Sequence, residues 1–330
     1  MPTKPAQKSN QFLAYAALTV VTILWALAGP IIKLTLKEIP PMHFLFFRLL
    51  IVCVAILPAT ILQLQQHPIK SKEILTLIVL GILGQTSLAL VFLGYQYATA
   101  LDASIITLIS PILAIAAGYY YFKEKISPAT KIGIILASLG TGLIVIEPLF
   151  LVGTTTMSKE LRIAGNMLIL TSTLAFLFYT LWSKYALGAY SKKIHKIFDT
   201  LNIHKLDKNR SPLLLTFVTF YVGLATLVPL VYLERQGFLG GHSFEITSIS
   251  TTGIFGIVYM AIFSSIVAYT LYEWALTVAS IADTAFFNYL SPIFTLPFAY
   301  ILLQEVPNKI TLIGGAIIAT GVVIAEYKKS

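Results

Sequence analysis

Apolar residues run through this chain in ten long blocks, at roughly 12–34, 42–62, 74–96, 103–122, 130–148, 163–183, 212–233, 253–275, 284–303 and 310–326. Short polar stretches separate them. A helix that crosses a bilayer needs about 20 mainly apolar residues, which is close to the length of these blocks. Backbone groups in lipid must be satisfied internally, so continuous apolar runs predict helices. A spanning β-barrel would show alternating segments of about 10 residues, and the chain has no such pattern. The predicted fold is an all-α polytopic membrane protein with ten transmembrane helices.

The blocks repeat. Residues 98–140 recur at 279–321 with a constant shift of 181 and no gap. Among the 43 positions the identical ones include Ala98/Ala279, Asp102/Asp283, Ser110/Ser291, Pro111/Pro292, Ile112/Ile293, Tyr119/Tyr300, Glu124/Glu305, Thr130/Thr311, Gly133/Gly314 and Gly140/Gly321. Apolar stretches match partly by chance, but Pro, Glu, Asp and Gly holding register do not follow from composition. Two five-helix copies, 12–148 and 163–326, are therefore expected, joined by an external linker at 149–162. An odd number of helices makes the second copy enter the membrane from the other side. Such an inverted repeat has a pseudo-two-fold axis in the membrane plane and is the architecture of alternating-access carriers.

Composition agrees with a lipid environment: 57% of residues are hydrophobic and 11% are charged. Orientation follows from Lys and Arg. Of the 23, sixteen fall on the side of the N-terminus, six (Lys33, Lys37, Lys159, Arg162, Arg235 and Lys309) on the other, and Arg48 lies within a span. Both termini, 1–11 and 327–330, are thus expected in the cytoplasm, with the protein in a bacterial inner (cell) membrane. Lys4, Lys8 and Ala26-Leu27-Ala28 resemble a signal peptide, but Gly29-Pro30 and Lys33 follow at once and the apolar run is long enough to span. The net charge of +9 reads as topology and contact with anionic lipid; no interleaved basic–aromatic pattern points to nucleic acid. The basic cytoplasmic loop 184–211 places Ile194, Ile197, Phe198 and Leu201 at helical spacing beside Lys192, Lys193 and Lys196. This predicts an amphipathic helix at an anionic membrane surface.

An alanine-rich end to the third helix, Ser-Pro midway along the fourth, a Glu closing it and a Gly-containing fifth helix together resemble the EamA family of the drug/metabolite transporter superfamily. The residues are Ala98, Ala100, Ser110-Pro111, Glu124, Gly133 and Gly140, and again Ala275, Ala279, Ser291-Pro292, Glu305, Gly314 and Gly321. Arg48 resembles the family's arginine in the second helix, and the second half has no counterpart to it. The resemblance implies a ten-helix carrier with a central cavity lined mainly by helices 1, 3, 4, 6, 8 and 9. It leads to the expected function: a secondary transporter that moves a small organic metabolite, such as an amino acid or related amphipathic compound, by alternating access. Efflux of cationic drugs is the second reading, and an intramembrane lipid-modifying enzyme is the reading from another class. That enzyme would want acids, His or Cys clustered at one depth, and the chain offers no such cluster.

Spacing nominates a substrate site. Ala103, Thr107, Ser110 and Ala114 share one face of the fourth helix, and Thr284, Asn288, Ser291 and Thr295 are their partners under the 181 shift. Pro111 and Pro292 free the carbonyls of Thr107 and Asn288, which must find other partners. Gln85 and Gln96 add polar groups on the third helix, and Ser265, Tyr269, Tyr272 and Glu273 do so on the eighth. Trp25 and Tyr179 are candidate walls for the substrate. The candidate substrate-binding set is thus Trp25, Gln85, Thr107, Tyr179, Tyr269 and Asn288. An ionisable residue within a span is a functional candidate: Glu273 would couple protons if enclosed and is an interfacial residue if not. Arg48 must pair with an acid, backbone carbonyls or the substrate. Asp102 and Asp283 read as carboxylates at helix starts, Lys33 and Lys184 as snorkelling anchors, and Glu124 and Glu305 as ties to adjoining loops. No catalytic residue, metal site or cofactor is expected: there is no Gly-Lys dipeptide of a P-loop, and Cys53 is the single cysteine. The expected partners are the substrate and membrane lipid, with the chain a monomer or homodimer.

Overall fold

The computed structural model describes residues 5–123, 125–150, 157–188, 191–201, 203–207, 212–239, 244–276, 287 and 289–326, without the side chains of 5–10, 212, 213, 273, 276 and 326. The described residues form helices throughout. In chain order these are α1 (Pro5–Thr35), α2 (Pro41–Gln66), α3 (Ser71–Tyr97), α4 (Ala100–Ile106), α5 (Ile109–Phe122), α6 (Pro128–Val145), α7 (Lys159–Ala186), α8 (Lys192–Thr200), α9 (Pro212–Arg235), α10 (Thr251–Val258), α11 (Ala268–Leu276), α12 (Ser291–Leu303) and α13 (Lys309–Glu326). A nine-residue π-helical segment, Tyr259–Val267, joins α10 to α11. Among the described residues, eight helical stretches are long and apolar enough to cross a membrane, and α12 and α13 are shorter apolar helices. The molecule is a multi-pass integral membrane protein.

Helix ends follow local chemistry. Pro41 occupies the first turn of α2 and Pro128 that of α6, where the missing N–H has no intrahelical partner to lose. Ser127, Ser158, Ser191 and Ser250 cap α6, α7, α8 and α10 by accepting N–H groups from the first turn, as short hydroxyl side chains do. Asn308 does the same for α13, accepting from Ile310 at 2.8 Å and Thr311 at 3.0 Å.

The repeat is structural as well as sequential. A shift of 181 carries α6 (Pro128–Val145) onto α13 (Lys309–Glu326) end for end, and its cap Ser127 onto Asn308. It also carries Lys123 onto Gln304, the two non-glycine residues with left-handed backbone among those described (φ 58° and 57°). Each stops its helix, α5 or α12, one residue before a repeated glutamate.

Close helix contact comes from small residues. A Cβ on Gly133 would collide with the Gly321 carbonyl oxygen, and one on Gly140 would lie 2.8 Å from that of Gly314. The α6–α13 pair therefore meets backbone to backbone at both crossings, which van der Waals packing in lipid requires. Ala137, Ile144, Ile318 and Val322 fill the seam, with Ile106 and Ile169 from neighbouring helices. A second core gathers Ile32, Phe44, Leu45, Leu49, Phe92 and Leu227 from α1, α2, α3 and α9. Val54, Leu139 and Val323 face outward, as lipid-facing residues do.

Two expectations change. The eighth span is not a uniform α-helix: its middle widens into π geometry, and the Ser265 hydroxyl donates to the carbonyl of Met260, five residues earlier, at 2.8 Å. The loop helix does form as α8, but Ile194 and Phe198 are buried against Tyr185 and Trp182 of α7. Only Ile197 and Leu201 of its apolar face stay exposed, so α8 is docked on protein first.

We predict that Gly140→Leu lowers the stability of the purified protein by about 1–3 kcal/mol, the usual penalty for overpacking. Gly142→Leu is the control, because a Cβ at Gly142 meets nothing within 4 Å. Equal melting of the two variants in detergent would refute the backbone-to-backbone seam.

Candidate functional site

The fourth span breaks at Thr107-Leu108, between α4 and α5. Pro111 has no N–H to give the Thr107 carbonyl, which accepts the N–H of Ser110 at 3.0 Å instead. The Thr107 hydroxyl donates to Ser104 O at 2.9 Å and its side chain is exposed to the space beside the break. In the second half, Thr295 donates to Ser291 O at 3.0 Å and to Ala26 O at 3.2 Å, which ties α12 to α1. Thr22 reaches from α1 to Phe287 O at 3.3 Å.

These contacts frame a cavity of about 220 Å³ lined by Thr22, Trp25, Thr107, Leu108, Ser110, Pro111, Tyr289 and Ser291. Both Ser-Pro pairs contribute to it. Its polar side chains are mostly hydroxyls, and its apolar wall is made by the Trp25 indole with Leu108 and Pro111. Pockets for drug-sized ligands run about 300–1,000 Å³, so this one suits a smaller molecule.

Trp25 connects the cavity to the π segment. Its Nε1 donates to Ser264 O at 3.1 Å, and its ring packs against Tyr269 and Tyr272 with centroids 5.5 and 5.3 Å away. Tyr259 donates to Leu24 O at 2.8 Å from the start of the same segment. The next residue, Ser265, accepts from Arg48 Nε at 3.1 Å and Nη2 at 2.9 Å. The Arg48 guanidinium also lies 5.7 Å from the centre of the Phe92 ring. A π widening within a helix often marks a functional site, and here it presents two consecutive serines to Trp25 and Arg48.

At the end where α1 finishes, carboxylates of one segment cap helices of another. Glu305 accepts from the N–H groups of Ala100 (2.8 Å) and Leu101 (3.2 Å) at the start of α4. Glu234 accepts from Met42 and His43 at the start of α2, and Glu38 from Ser250 before α10. Lys33 pairs with Glu305 at 3.9 Å and donates to Ala98 O. Arg162 holds Asp102 at 2.8 Å and Glu147 at 3.1 Å, and Asn308 donates to Glu147. Burial pushes the Glu147 carboxyl above the ordinary value, and the neighbouring Asp102 adds to the rise against the pull of Arg162. Burial likewise raises Glu305, while Lys33 pulls it down.

Several expectations can be placed. Trp25 and Thr107 line the cavity, and Tyr269 packs on Trp25 outside it. Gln85 is buried in α3 near Gly223 of α9, and Tyr179 lies across the neighbouring Gly84. Asn288, Asp283 and Glu124 lie outside the described residues, as does the Glu273 side chain. Lys33 is an ion-pair partner, not a snorkelling anchor, because Glu305 reaches it. The cap of α4 is Thr99, whose hydroxyl accepts from Asp102 N at 2.9 Å; Asp102 sits within the first turn and neutralises Arg162. Thr22 and Tyr289 were not anticipated as lining residues. Thr22 lies about one helical turn before Trp25, and that spacing is the signal that points to it.

A profile described as the EamA-like transporter family matches residues 12–146 and 200–327. An uncharacterized transporter of Archaeoglobus fulgidus is 28% identical over 94% of this chain and 96% of its own length. Bacillus subtilis YdfC, also named an uncharacterized transporter, is 26% identical over 92% and 88%. Human solute carrier family 35 member G1 is 26% identical over 44% of this chain and 40% of its own. A solved crystal structure superposes with a TM-score of 0.55 over 98% of each chain at 15% identity, a likeness of fold alone.

We predict that Arg162→Met destabilises the protein by about 3–5 kcal/mol, the usual cost of leaving buried charges uncompensated. Adding Asp102→Asn and Glu147→Gln is expected to recover part of the loss in melting temperature. No recovery in the triple variant would show that Arg162 acts by packing alone.

Proposed function

The chain belongs to the EamA-like transporter family, and we propose that it is a secondary active carrier moving a small organic metabolite across the membrane by alternating access. The observation that carries this reading is the cavity itself. Two repeat-related Ser-Pro positions, the break at Ser110-Pro111 and Ser291 at the start of α12, converge with Thr22 and Trp25 of α1 on one small hydroxyl-lined space. Broken helices that meet at a repeat interface are the usual setting for carrier binding sites.

In this reading the chain has ten transmembrane helices in two inverted repeats, with both termini cytoplasmic in a cell membrane. The glycine seam supports the two-fold relation. The shift pairs Gly133 with Gly314 and Gly140 with Gly321, while the contacts run from Gly133 to Gly321 and from Gly140 to Gly314. A two-fold axis exchanges one contact for the other. The packing of α3 on α7 and of α1 on α11 is related in the same way. Carriage, not catalysis, fits a site made of hydroxyls and one indole, because no nucleophile–base pair lines it. The layer of Lys33, Asp102, Glu147, Arg162 and Glu305 then closes the external end, and its ion pairs must part for the site to open outward.

Counterflow of a metabolite panel in proteoliposomes tests the site. Thr107→Ala and Trp25→Ala are expected to weaken exchange several-fold, since one neutral hydrogen bond is worth about 0.5–1.5 kcal/mol; Gly142→Ala is expected to leave it unchanged. Wild-type kinetics in both cavity variants would overturn the site. Orientation is tested separately by single cysteines at Ser158 and Lys205, both exposed, in a Cys53→Ala background. Labelling from opposite sides is expected, and labelling from one side would refute the inverted arrangement.

A further inference from the structure

Arg48 holds a charge that the described residues do not neutralise. It lies inside the span formed by α2 and is 6% exposed, so protein encloses it. None of the ion pairs among the described residues includes it. Its Nε and Nη2 share a single acceptor, the Ser265 hydroxyl, whose own proton goes to Met260 O. The face of Phe92 adds a weak cation–π contact. A guanidinium has five N–H donors in a rigid fork, and the Nη1 pair has no acceptor among the described residues. Elsewhere the chain behaves differently: Lys33 and Arg162, near the membrane surface, both have carboxylate partners.

A second buried polar group, on the neighbouring α3, is also unanswered. Gln85 is 3% exposed, and neither its Oε1 nor its Nε2 has a hydrogen-bond partner. Its amide reaches toward Gly223, where an added Cβ would lie 2.8 Å from Oε1 and 3.2 Å from Cδ1 of Leu49, the residue next to Arg48. Gln85 and Phe92 are seven residues apart and so share a face of α3. The ring under the guanidinium and the unpartnered amide therefore lie on one side of α3, about two turns apart. Buried polar groups are nearly always satisfied, and exceptions call for a reason such as a missing ligand.

We propose that the substrate is a small organic acid whose carboxylate is recognised by Arg48, with the Gln85 amide, about two turns of α3 away, open to a second polar group, while its organic part occupies the hydroxyl-lined cavity against Trp25. This deepens the carrier reading and rests on it. A carboxylate supplies the acceptors that the Arg48 fork lacks and cancels its charge. A cation would meet an uncompensated positive centre, and a neutral molecule would leave that centre uncompensated. Trp25 makes the two regions one site: its ring lines the cavity, and its Nε1 holds the carbonyl of Ser264, adjacent to the Ser265 that holds Arg48.

Matched acids and amides separate charge from shape. Purified protein in detergent is melted with lactate or lactamide, and with benzoate or benzamide. At least one acid is expected to raise the melting temperature while its amide does not. Arg48→Gln is expected to weaken acid binding about tenfold or more, the loss of a charge-assisted contact, and Arg48→Lys to retain part of it. If Arg48→Gln does not fold, the wild-type comparison and Arg48→Lys decide the matter. Equal shifts from acid and amide, no shift from any acid, or an unchanged acid shift in Arg48→Gln would overturn the assignment. The carrier reading fails separately: acids that bind but show no counterflow leave the site standing and remove transport. Counterflow confined to amines or neutral compounds keeps transport and removes the acid site.

Discussion

Inside a bilayer no water is available to satisfy a backbone carbonyl, so a proline within a span leaves a carbonyl that must find another partner. At Pro111 the freed carbonyl of Thr107 turns to the N–H of Ser110, and the helix divides at that point. The division turns the Thr107 side chain into open space and sets Ser110 at the start of α5. In the second half Thr295 bonds Ser291 O and Ala26 O, which holds the start of α12 against α1. The Thr107 hydroxyl, which meets Ser104 O beside the break, thus lines the cavity, and Thr295 holds the helix that brings Ser291 to it.

Charge is arranged on the same principle. Near the membrane surface, where Glu38, Glu234 and Glu305 sit, carboxylates meet the unsatisfied N–H groups of helix starts, an alignment the helix dipole favours. Arg162 offsets two acids at once. These contacts join segments far apart in the chain, so they hold the helix ends together as a layer. Deeper in the span, Arg48 has a serine and a ring where the surface cations have carboxylates. That contrast, and not the presence of an arginine alone, is what the proposed acid site rests on.

Much of this was legible in the residues. Apolar block lengths predicted where the helices lie, and the ungapped shift of 181 predicted equivalent ends that return as α6 and α13 and as the left-handed pair Lys123 and Gln304. The proline argument located the break in the fourth span and the side of it on which Thr107 lies. Long-range pairing was not legible. Lys33 looks like a snorkelling anchor because Glu305 is 272 residues away in the chain, and periodicity carries no information about which helix ends meet. The π segment was hidden for another reason: its apolar run is as continuous as that of an α-helix, and the Ser265–Met260 bond that marks it needs coordinates to be seen.

The frame of the molecule repeats, whereas the chemistry within it does not. Glycine crossings and helix stops occur in both halves, as the proposed carrier, exchanging two arrangements, would need for similar packing energies on either side of its axis. Arg48 has no counterpart in the second half, and the π widening of the eighth span has none in the regular α3. A substrate has no two-fold axis of its own. In the proposed site, one charged group, held from one side by a widened helix turn of the other half, would give such a molecule a single orientation. Duplicating that group would instead create two competing orientations and a second buried charge to compensate. On this argument the departures from the repeat, more than the repeat itself, are where specificity is stored.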